Sequence, residues 1–560
     1  MRKSGLSALL WDYRYLLSFI LIAIIYFFNM FIDIMEVDAA QYASMAREMM
    51  DSKNILEVYE RGKDYLDKPP LLFWLSSASM NLFGVSDFAY KIPAVLVIIL
   101  GIYSTYRFTL LFYTKQTAIF SALILSSSQA FFLITNDVRM DGILMGFVIF
   151  SIWQLSEYLH KPRFLYLLLA ALGAAGALMS KGPIGLVIIG FAVGGGLMLK
   201  MDWKSVFKPQ WLLFILMVAV FIAPMCYGLY TQFDLHPEKE AYGLTGPSGL
   251  KFFFWTQSFG RITGDIYWDN NTGFFYFFHS ILWDFQPWIL FFIPAFIHSI
   301  YKIIFLKTRN SEYPELMTLS GFTLSFLALS MSNYKLPHYI FPLFPFAAVI
   351  TANYILTVFR IENNYFRYLF RVQQGFLFLF FILLAASMVF FFPTGSILFP
   401  SILVIFFVLF LFSLLKIKLY PDNLMISTLV SVLAFNLLLS IYFYPQLLKF
   451  QSGSVVGKEI NRLKIPNDRF YIYGVGSHSL DFYAERITPS ASMEDLSGLA
   501  QGTLVYTNQA GWDSIQVKKE LNYQVFKSYD NYHVTAISLP FLNSKTRSSK
   551  LNTRYLLEKK

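Results

Sequence analysis

Apolar segments long enough to cross a membrane recur along most of the chain, separated by short polar segments. An α-helix needs about 20 mostly apolar residues to cross the hydrocarbon core of a bilayer. The pattern therefore predicts an α-helical polytopic membrane protein with about 13 transmembrane helices. The predicted spans lie at about 15–33, 91–112, 116–134, 141–158, 164–180, 183–199, 211–230, 284–305, 315–331, 338–357, 373–393, 397–415 and 424–443.

Two longer loops, 34–90 and 231–283, separate some of these spans. In the first loop, apolar residues repeat with helical spacing from Asp38 to Met50, and Pro69 to Phe83 is apolar and aromatic. Both stretches predict helices that lie in the membrane interface rather than cross it. The second loop is rich in Gly, Asn, Trp and Tyr, which is typical of an ordered loop.

The pattern changes after residue 443, where short strand-like segments alternate with helical ones. The segments RFYIYGVG, GTLVYT, YQVFKSY and YHVTAISL predict strands, and SLDFYAER and SIQVKKEL predict helices. We therefore predict a transmembrane domain over 1–443 and a small α/β domain over 444–543. We expect the basic tail, 544–560, to be disordered.

Composition and charge agree with a membrane protein. The chain is 56% hydrophobic and 14% charged, against about 25% charged residues in soluble domains. The net charge of +10 is spread over short loops, which argues against nucleic acid binding. Lysine and arginine concentrate in alternate loops, which predicts a cytoplasmic N-terminus and an extracytoplasmic C-terminal domain. The single cysteine, Cys226, excludes a disulfide within the chain and a cysteine-based metal site.

Six charged residues at the ends of apolar segments fall on the predicted outer side. A charge within the membrane costs roughly 2.5–3.5 kcal/mol, so such residues usually mark a functional site. Carboxylates among them could act as a base and cations could hold a phosphate, which suggests an enzyme acting on a phosphate-bearing lipid. The residues are Asp38, Lys68, Arg139, Asp141, Lys181 and Lys335.

Each candidate also has an ordinary structural interpretation. Asp38 could cap the helix that follows it, and Asp141 could cap the next helix from a self-neutralising turn. Lys68 could extend its charged end towards water from an apolar stem. His338 could be a hydrogen-bonded structural residue, and Arg261 could form a salt bridge within its loop.

The protein could also bind a divalent metal ion, but no metal-binding motif in the sequence supports this. No HExxH or similar spacing is present, so the sequence assigns no metal ligands. The acidic and histidine residues on the predicted outer side that could contribute are Glu57, Glu60, Asp67, His236 and His279.

Six motifs, in order, are similar to those of a known family. They are VDAAQYASMAREM, DKPPLLFWL, RMDGIL, SKGPIGL, NYKLPHYIFPLFP and FYIYGVGSHSLDFYAER. Together they resemble the bacterial glycosyltransferase family 39 group, which contains dolichyl-phosphate-mannose-type protein mannosyltransferases and the lipid A aminoarabinose transferase. The architecture resembles the GT-C superfamily.

The resemblance implies a function and a site. A sugar would pass from a polyprenyl phosphate to an acceptor hydroxyl on lipid A, a protein or another surface glycan, at the outer face of the bacterial inner membrane. By this resemblance Asp38 is the catalytic base, Asp141 the second acid, Lys68 the contact to the lipid phosphate, and Arg261 and Lys335 line the same cavity. The other predicted substrate-binding residues are Arg139, Lys181 and His338.

The chain also departs from the family pattern. It has Ala39 and Gln41 in the first loop and Asp67 before Lys68, and it has Asn270 and Asn271 near the position where the aminoarabinose transferases have a histidine. The sugar, the acceptor and a metal therefore stay open. A membrane transporter or lipid flippase is the alternative function, and an assembly protein is a third. The transferase is the first hypothesis, because the charges cluster at one face and no internal repeat is evident.

Overall fold

The computed structural model describes residues 13–241, 243–257, 260, 270, 272–304, 315–358, 364–415, 421–518 and 520–560. Within these ranges, seven helices are long and apolar enough to cross a membrane, one bent helix pair passes the same test, and six shorter helices are apolar. The chain is therefore a multi-pass helical membrane protein. The number of 13 spans stays a prediction.

The helices of the bundle lie where the sequence predicts apolar spans, with two additions in the first loop and one before residue 289. In chain order they are α1 Arg14–Asn29, α2 Asp38–Ser52, α3 Leu71–Phe83, α4 Asp87–Phe112, α5 Lys115–Ser127, α6 Gln129–Asn136, α7 Met140–His160, α8 Phe164–Lys181, α9 Ile184–Leu199, α10 Gln210–Leu229, α11 Tyr276–Asp284, α12 Ile289–Ile304, α13 Met317–Ser330, α14 Phe344–Val358, α15 Asn364–Ala386, α16 Leu398–Leu415 and α17 Pro421–Leu438.

The predicted span 116–134 is not one straight helix, because the chain bends by 55° between α5 and α6. Ser128 lies between the two helices with an extended backbone. The backbone N–H of Gln129 donates to the carbonyl of Gln286, 2.9 Å away, instead of to its own helix. A carbonyl from a distant segment therefore stabilises the bend, and the local sequence near residue 128 does not predict this contact.

Local sequence explains several helix ends. Ser86 caps α4 by accepting a hydrogen bond from the N–H of Ala89. Gly182 ends α8 with φ of +87°, a conformation that glycine adopts without strain, so α8 and α9 meet in the tight turn that Lys181-Gly182-Pro183 predicts. Buried Lys91 donates to the carbonyls of Asn29 and Ile32 at 3.1 and 2.7 Å, which satisfies the end of α1.

The two helices predicted in the first loop are present as α2 and α3. Two short hairpins also occur in the loops, formed by β1 Tyr59–Glu60 with β2 Lys63–Asp64, and by β3 Glu240–Ala241 with β4 Leu244–Thr245. Residues on more than one face of α2 are buried, including Ala39, Ser44 and Met45. Helix α2 is therefore packed inside the protein, and its depth in a membrane stays a prediction.

The C-terminal region forms a four-stranded sheet with strand order β5-β6-β8-β7. Strands β5 and β6 are parallel, and the other two pairs are antiparallel. Apolar side chains of the surrounding helices pack on the sheet. The strands and the two longest helices are α18 Ser452–Arg462, β5 Phe470–Tyr473, β6 Leu504–Asn508, α19 Gln509–Val517, β7 Tyr523–Asn531 and β8 Asn552–Lys559.

Two predictions for this region are wrong. The segment 552–559, expected in a disordered tail, is strand β8 and lies between β6 and β7 with Leu556 and Leu557 buried. The predicted strand YHVTAISL, 532–539, is not a strand. Leu556 and Leu557 are buried in two separate apolar clusters, and β6 and β7 pair with the backbone of β8, so the strand depends on tertiary partners. The division of the chain into domains at 443 stays a prediction.

The C-terminal region is fixed to the first loop by polar contacts. Arg61 forms an ion pair with Asp481 and donates to the carbonyl of Thr488 at 2.6 Å. The hydroxyl of Ser44 on α2 donates to the carbonyl of His478 at 2.7 Å. These contacts hold α2, which carries Asp38, against the C-terminal region.

Candidate active site

Asp38 is the first residue of α2, and its side chain turns away from the helix end. The N-cap residue is Val37, and no side chain caps the helix, so the capping interpretation of Asp38 is wrong. Its Oδ2 instead accepts a hydrogen bond from Nη1 of Arg139 at 2.7 Å. The Asp38 side chain is 36% exposed, which leaves it accessible from the neighbouring cavity.

Arg139 joins two carboxylates across the turn between α6 and α7. Its Nη2 lies 2.7 Å from Oδ2 of Asp137, and its Nε donates to the same oxygen at 2.8 Å. Burial alone lowers the pKa of Arg139, but the carboxylates of Asp137 and Asp38 raise it above its ordinary value. Arg139 is thus a permanent cation that positions Asp38.

Asp141 is buried in the first turn of α7 and does not cap that helix, whose N-cap is Arg139 without a side-chain bond. Its Oδ1 lies 2.5 Å from Nζ of Lys181, and its Oδ2 lies 3.7 Å from Nε2 of His338. The Lys181 ammonium also lies 3.4 Å from the centre of the Tyr339 ring. Three separate segments therefore meet around one carboxylate.

Lys68 precedes α3 and contacts its own neighbour. Its Nζ lies 2.5 Å from Oδ2 of Asp67, and its side chain is 13% exposed. The amide of Gln257, from the second loop, donates to the backbone carbonyl of Asp67. Gln257 thereby fixes the backbone from which Lys68 projects.

These residues line one polar cavity of about 280 Å³. Three carboxylates and three cations face it, so its charges balance: Asp38, Asp67 and Asp141 against Lys68, Arg139 and Lys181. The other lining residues are Gln41, Tyr42, Met140, Tyr334, Leu336, His338 and Tyr339.

A larger apolar cavity of about 590 Å³ adjoins the polar one. Lys68, Lys181 and Tyr339 line both, so two ammonium groups stand at the junction. The rest of its lining is mainly apolar and comes from α7, α9, α13 and the second loop: Leu144, Pro183, Ile184, Val187, Gly190, Phe191, Gln257, Ala328, Leu329 and Ser332.

A third cavity, of about 390 Å³, continues along α9 and shares Gly190 with the second. It is lined by apolar residues of α7, α9 and α10 and by Val206. A Cβ atom at Gly190 or at Gly194 would have no heavy atom within 4 Å. The two glycines therefore leave open space on the face of α9 that the cavities follow.

Of the two remaining predicted site residues, one is placed elsewhere and the other lies outside the described residues. Lys335 is buried, donates from Nζ to the carbonyl of Thr272 at 2.8 Å, and contacts Asn270 through its backbone. It does not line the polar cavity, whereas its neighbours Tyr334 and Leu336 do. Arg261 lies outside the described residues.

Sequence reasoning missed several lining residues. Tyr334 and Tyr339 lie beside residues that the sequence singled out, so the motif around Lys335 was the available signal. Tyr42 is one of the regularly spaced apolar residues between Asp38 and Met50, a pattern that indicates a helix face and no site, and Gln257 lies in a loop with no recognisable spacing. Contacts between distant segments bring these residues to the site.

The five metal candidates do not form a cluster. Within the part of the chain that the structure describes, no three His, Cys, Asp or Glu side chains are grouped to hold a metal ion. Glu60 accepts from Gln41 at 2.7 Å, and His236 lies 2.8 Å from Glu238. The described residues thus give no fitted metal site.

Comparison with known proteins finds similar sequences and a similar fold. The family model "Dolichyl-phosphate-mannose-protein mannosyltransferase" matches residues 67–227, which include Lys68, Arg139, Asp141 and Lys181. An uncharacterized protein of Aquifex aeolicus (strain VF5) is 26% identical over 511 residues, 90% of this chain and 93% of that protein.

The crystal structure of ArnT from Cupriavidus metallidurans bound to undecaprenyl phosphate has a TM-score of 0.70, with 16% identity and 97% of both chains covered. The chain therefore shares the fold of that protein. An "undecaprenyl phosphate-alpha-4-amino-4-deoxy-L-arabinose arabinosyl transferase 2" of Proteus mirabilis (strain HI4320) is 25% identical over 327 residues, 57% of this chain. That match spans 54% of the Proteus protein, about half of its length.

Within this fold, the structure brings together six of the eight predicted site residues. Asp38, Lys68, Arg139, Asp141, Lys181 and His338 all line the polar cavity. Their catalytic and substrate-binding roles are proposals.

Proposed function

We propose that this protein is an integral-membrane glycosyltransferase that moves a sugar from a polyprenyl phosphate to an acceptor hydroxyl. One observation carries the proposal: a polar cavity with carboxylates opens through two lysines into a large apolar cavity. A polyprenyl-phosphate sugar has the same three parts in the same order, which are a polar sugar, an anionic phosphate and an apolar tail.

The apolar cavity suits the isoprenoid tail. Its walls are largely aliphatic, and burial of apolar surface stabilises a bound hydrocarbon by roughly 25 cal/mol per Å² relative to water. The third cavity extends the same apolar path along α9. A tail of several isoprene units would thus have a continuous binding surface.

The phosphate fits at the junction between the cavities, where Lys68 and Lys181 project. As the bond between the sugar and the phosphate oxygen breaks, its electron pair passes to that oxygen and the phosphate gains negative charge. Ammonium groups already in place stabilise this transition state more than the ground state. Asp67 and Asp141 hold the two ammonium groups in position beforehand.

The acceptor hydroxyl needs a base, because its oxygen forms a bond to the anomeric carbon as its proton leaves. Asp38 is the proposed base: it faces the polar cavity, and its side chain is the most exposed of the four acidic groups in this ion-pair cluster. General base catalysis typically contributes about 10²–10⁴-fold to the rate. Asp141, held by Lys181 and His338, would orient the acceptor or the sugar.

The relatives support this proposal but do not fix the sugar or the acceptor. The Proteus relative is named for an undecaprenyl phosphate-linked aminoarabinose, and the similar crystal structure contains undecaprenyl phosphate. Lipid A, a protein hydroxyl and another glycan are all candidate acceptors. We place the site at the outer face of the bacterial inner membrane, following the distribution of basic loop residues.

The test is Asp38→Asn in a deletion strain that is complemented with the variant. Mass spectrometry would follow polyprenyl-phosphate sugars, lipid A and glycoproteins. We expect the variant to accumulate the lipid-linked sugar and to lose at least about 100-fold of the transfer. The control is Asp51→Asn, on the same helix, where the carboxylate pairs with Arg47 and does not line the cavity.

Full transfer by Asp38→Asn at wild-type protein levels would remove Asp38 from the mechanism. If the deletion strain shows no change in any glycosylated product but moves less lipid across the membrane, the protein is a transporter or flippase instead. Equal losses in Asp38→Asn and Asp51→Asn would point to folding rather than chemistry.

A further inference from the structure

A separate crevice of about 700 Å³ lies where the C-terminal region meets the bundle. It is bounded by the end of α1, by residues that follow α17, by α18 and by β7. None of its lining residues lines the three cavities of the candidate active site. The proposed transferase mechanism makes no use of it.

The floor of this crevice is apolar and open on one side. Phe28 and Phe31 of the α1 end are 42% and 54% exposed, and Ile441 and Leu448 complete the floor. Exposed aromatic side chains at the end of a membrane helix contact lipid near the headgroups. The floor is therefore accessible from the bilayer.

The rim above the floor is basic. Four cations and two carboxylates line the crevice, and two of the cations are paired: Lys458 with Asp33 at 2.5 Å and Lys527 with Glu459 at 2.7 Å. Each of these two ion pairs is neutral by itself, so the net charge of the rim comes from the remaining cations.

The remaining cations are Lys449 and Arg462. Both are exposed, and neither has a carboxylate oxygen within 4 Å among the residues that the structure describes. Lys449 donates only to the side-chain oxygen of Gln446, at 2.9 Å. The crevice thus has a net positive charge, because its four cations outnumber its two carboxylates and Glu459 interacts with Arg462 as well as with Lys527.

From this arrangement we propose that the crevice binds an anionic phospholipid of the surrounding leaflet. The phosphate would contact Lys449 and Arg462, and the first acyl carbons would pack on Phe28 and Phe31. Basic residues at a membrane surface attract anionic lipids, and an apolar floor beside them selects an amphiphile over a free phosphate ion. Such a lipid would bridge the bundle and the C-terminal region, because α18 and β7 form one wall and α1 forms the other.

Native mass spectrometry of the detergent-purified full chain would test this site with phosphatidylglycerol and phosphatidylcholine of identical acyl chains. We expect the wild type to retain phosphatidylglycerol about tenfold better, and the double variant Lys449→Gln with Arg462→Gln to lose most of that preference. The matched control neutralises Lys545 and Lys550, two exposed lysines of the C-terminal region outside the crevice.

A photoactivatable phosphatidylglycerol adds a readout of position, and we expect its cross-links in peptides that contain Phe31 or Lys449. Equal retention of both lipids by the wild type, or equal losses in the crevice and control variants, would overturn the proposal. So would competition by millimolar inorganic phosphate as effective as competition by the lipid, which would indicate an ion site. Preferential capture of lipid A over phosphatidylglycerol would also reject the assigned occupant.

Discussion

At the scale of single residues, the candidate site consists of ion pairs between segments far apart in sequence. Asp38 pairs with Arg139, and Asp141 with Lys181. Removing one partner of a buried pair leaves an uncompensated charge, which costs about 3–5 kcal/mol. Asp141 and Lys181, which form the buried pair, therefore contribute both to stability and to the proposed chemistry, and a substitution of either one alone does not separate the two contributions.

A double-mutant cycle on Asp141 and Lys181 separates them. We expect Lys181→Met to lower the free energy of unfolding by about 3–5 kcal/mol, because the buried Asp141 carboxylate loses its cation. Lys181→Met combined with Asp141→Asn should restore most of that stability, since no unpaired carboxylate remains, but not sugar transfer. Thermal unfolding in detergent and the transfer assay would be measured on the same preparations.

If the double variant regains transfer along with stability, the pair is structural only. If Lys181→Met is as stable as the wild type, the carboxylate is solvated and the assumed burial of the pair is wrong.

At the scale of elements, α9 connects two apolar cavities through its glycines. Gly190 lines both cavities, and a side chain at this position would extend into the cavity space, because no heavy atom lies within 4 Å of its added Cβ. By contrast, a Cβ at Gly146 of α7 would lie 2.3 Å from the carbonyl oxygen of Val97, so that glycine permits close helix packing. The two glycines therefore have different roles: one keeps a path open and the other lets two helices approach.

A substitution at Gly190 tests the path. We expect Gly190→Leu to weaken binding of undecaprenyl phosphate about tenfold and binding of the shorter farnesyl phosphate less, because the added side chain fills the passage to the third cavity. Isothermal titration or tryptophan quenching with the two lipids would measure the difference. Gly375→Leu is the control, since Gly375 is also an exposed helical glycine with no atom within 4 Å of its added Cβ.

Equal weakening for both lipids would show that Gly190→Leu disturbs the phosphate site rather than the tail. Equal effects of Gly190→Leu and Gly375→Leu would show that the cavities along α9 hold no tail.

At the scale of the whole molecule, the C-terminal sheet and the first loop hold each other in place. Arg61 pairs with Asp481, and Ser44 of α2 bonds to the carbonyl of His478. Burial raises the pKa of the Asp481 carboxyl, while the nearby Arg61 opposes this shift. The position of Asp38 at the start of α2 thus depends on a region more than 400 residues away in the chain.

Deletion of 552–560 tests the role of strand β8. We expect the C-terminal region to become protease-sensitive, because β7 pairs only with β8 among the described strands and loses all its sheet hydrogen bonds. Limited proteolysis with mass spectrometry would map the cleavage sites. Neutralising Lys545 and Lys550 leaves the strand intact and should not change the protease sensitivity. If that variant becomes sensitive and the deletion of 552–560 does not, the segment acts through its basic charge and not as a strand.

Membrane architecture and the membrane-end charges could be read from the sequence. Apolar length identifies helices because the bilayer imposes the same requirement on every span. The motifs around Asp38, Lys68, Asp141 and Lys181 stood at helix ends, and these residues do meet in one cavity. Their roles in catalysis and binding stay predictions.

Only the tertiary structure decided which partners these residues have. The helix bends at Ser128, where the carbonyl of Gln286 accepts the N–H of Gln129. Lys335 binds the carbonyl of Thr272 and does not line the polar cavity, and the expected tail contains the central strand β8. The tertiary structure also opened the apolar path beside Gly190. The physical reason is the same in each case: hydrophobic length is a local property, whereas a hydrogen bond, an ion pair or a cavity needs a second segment that local sequence does not specify.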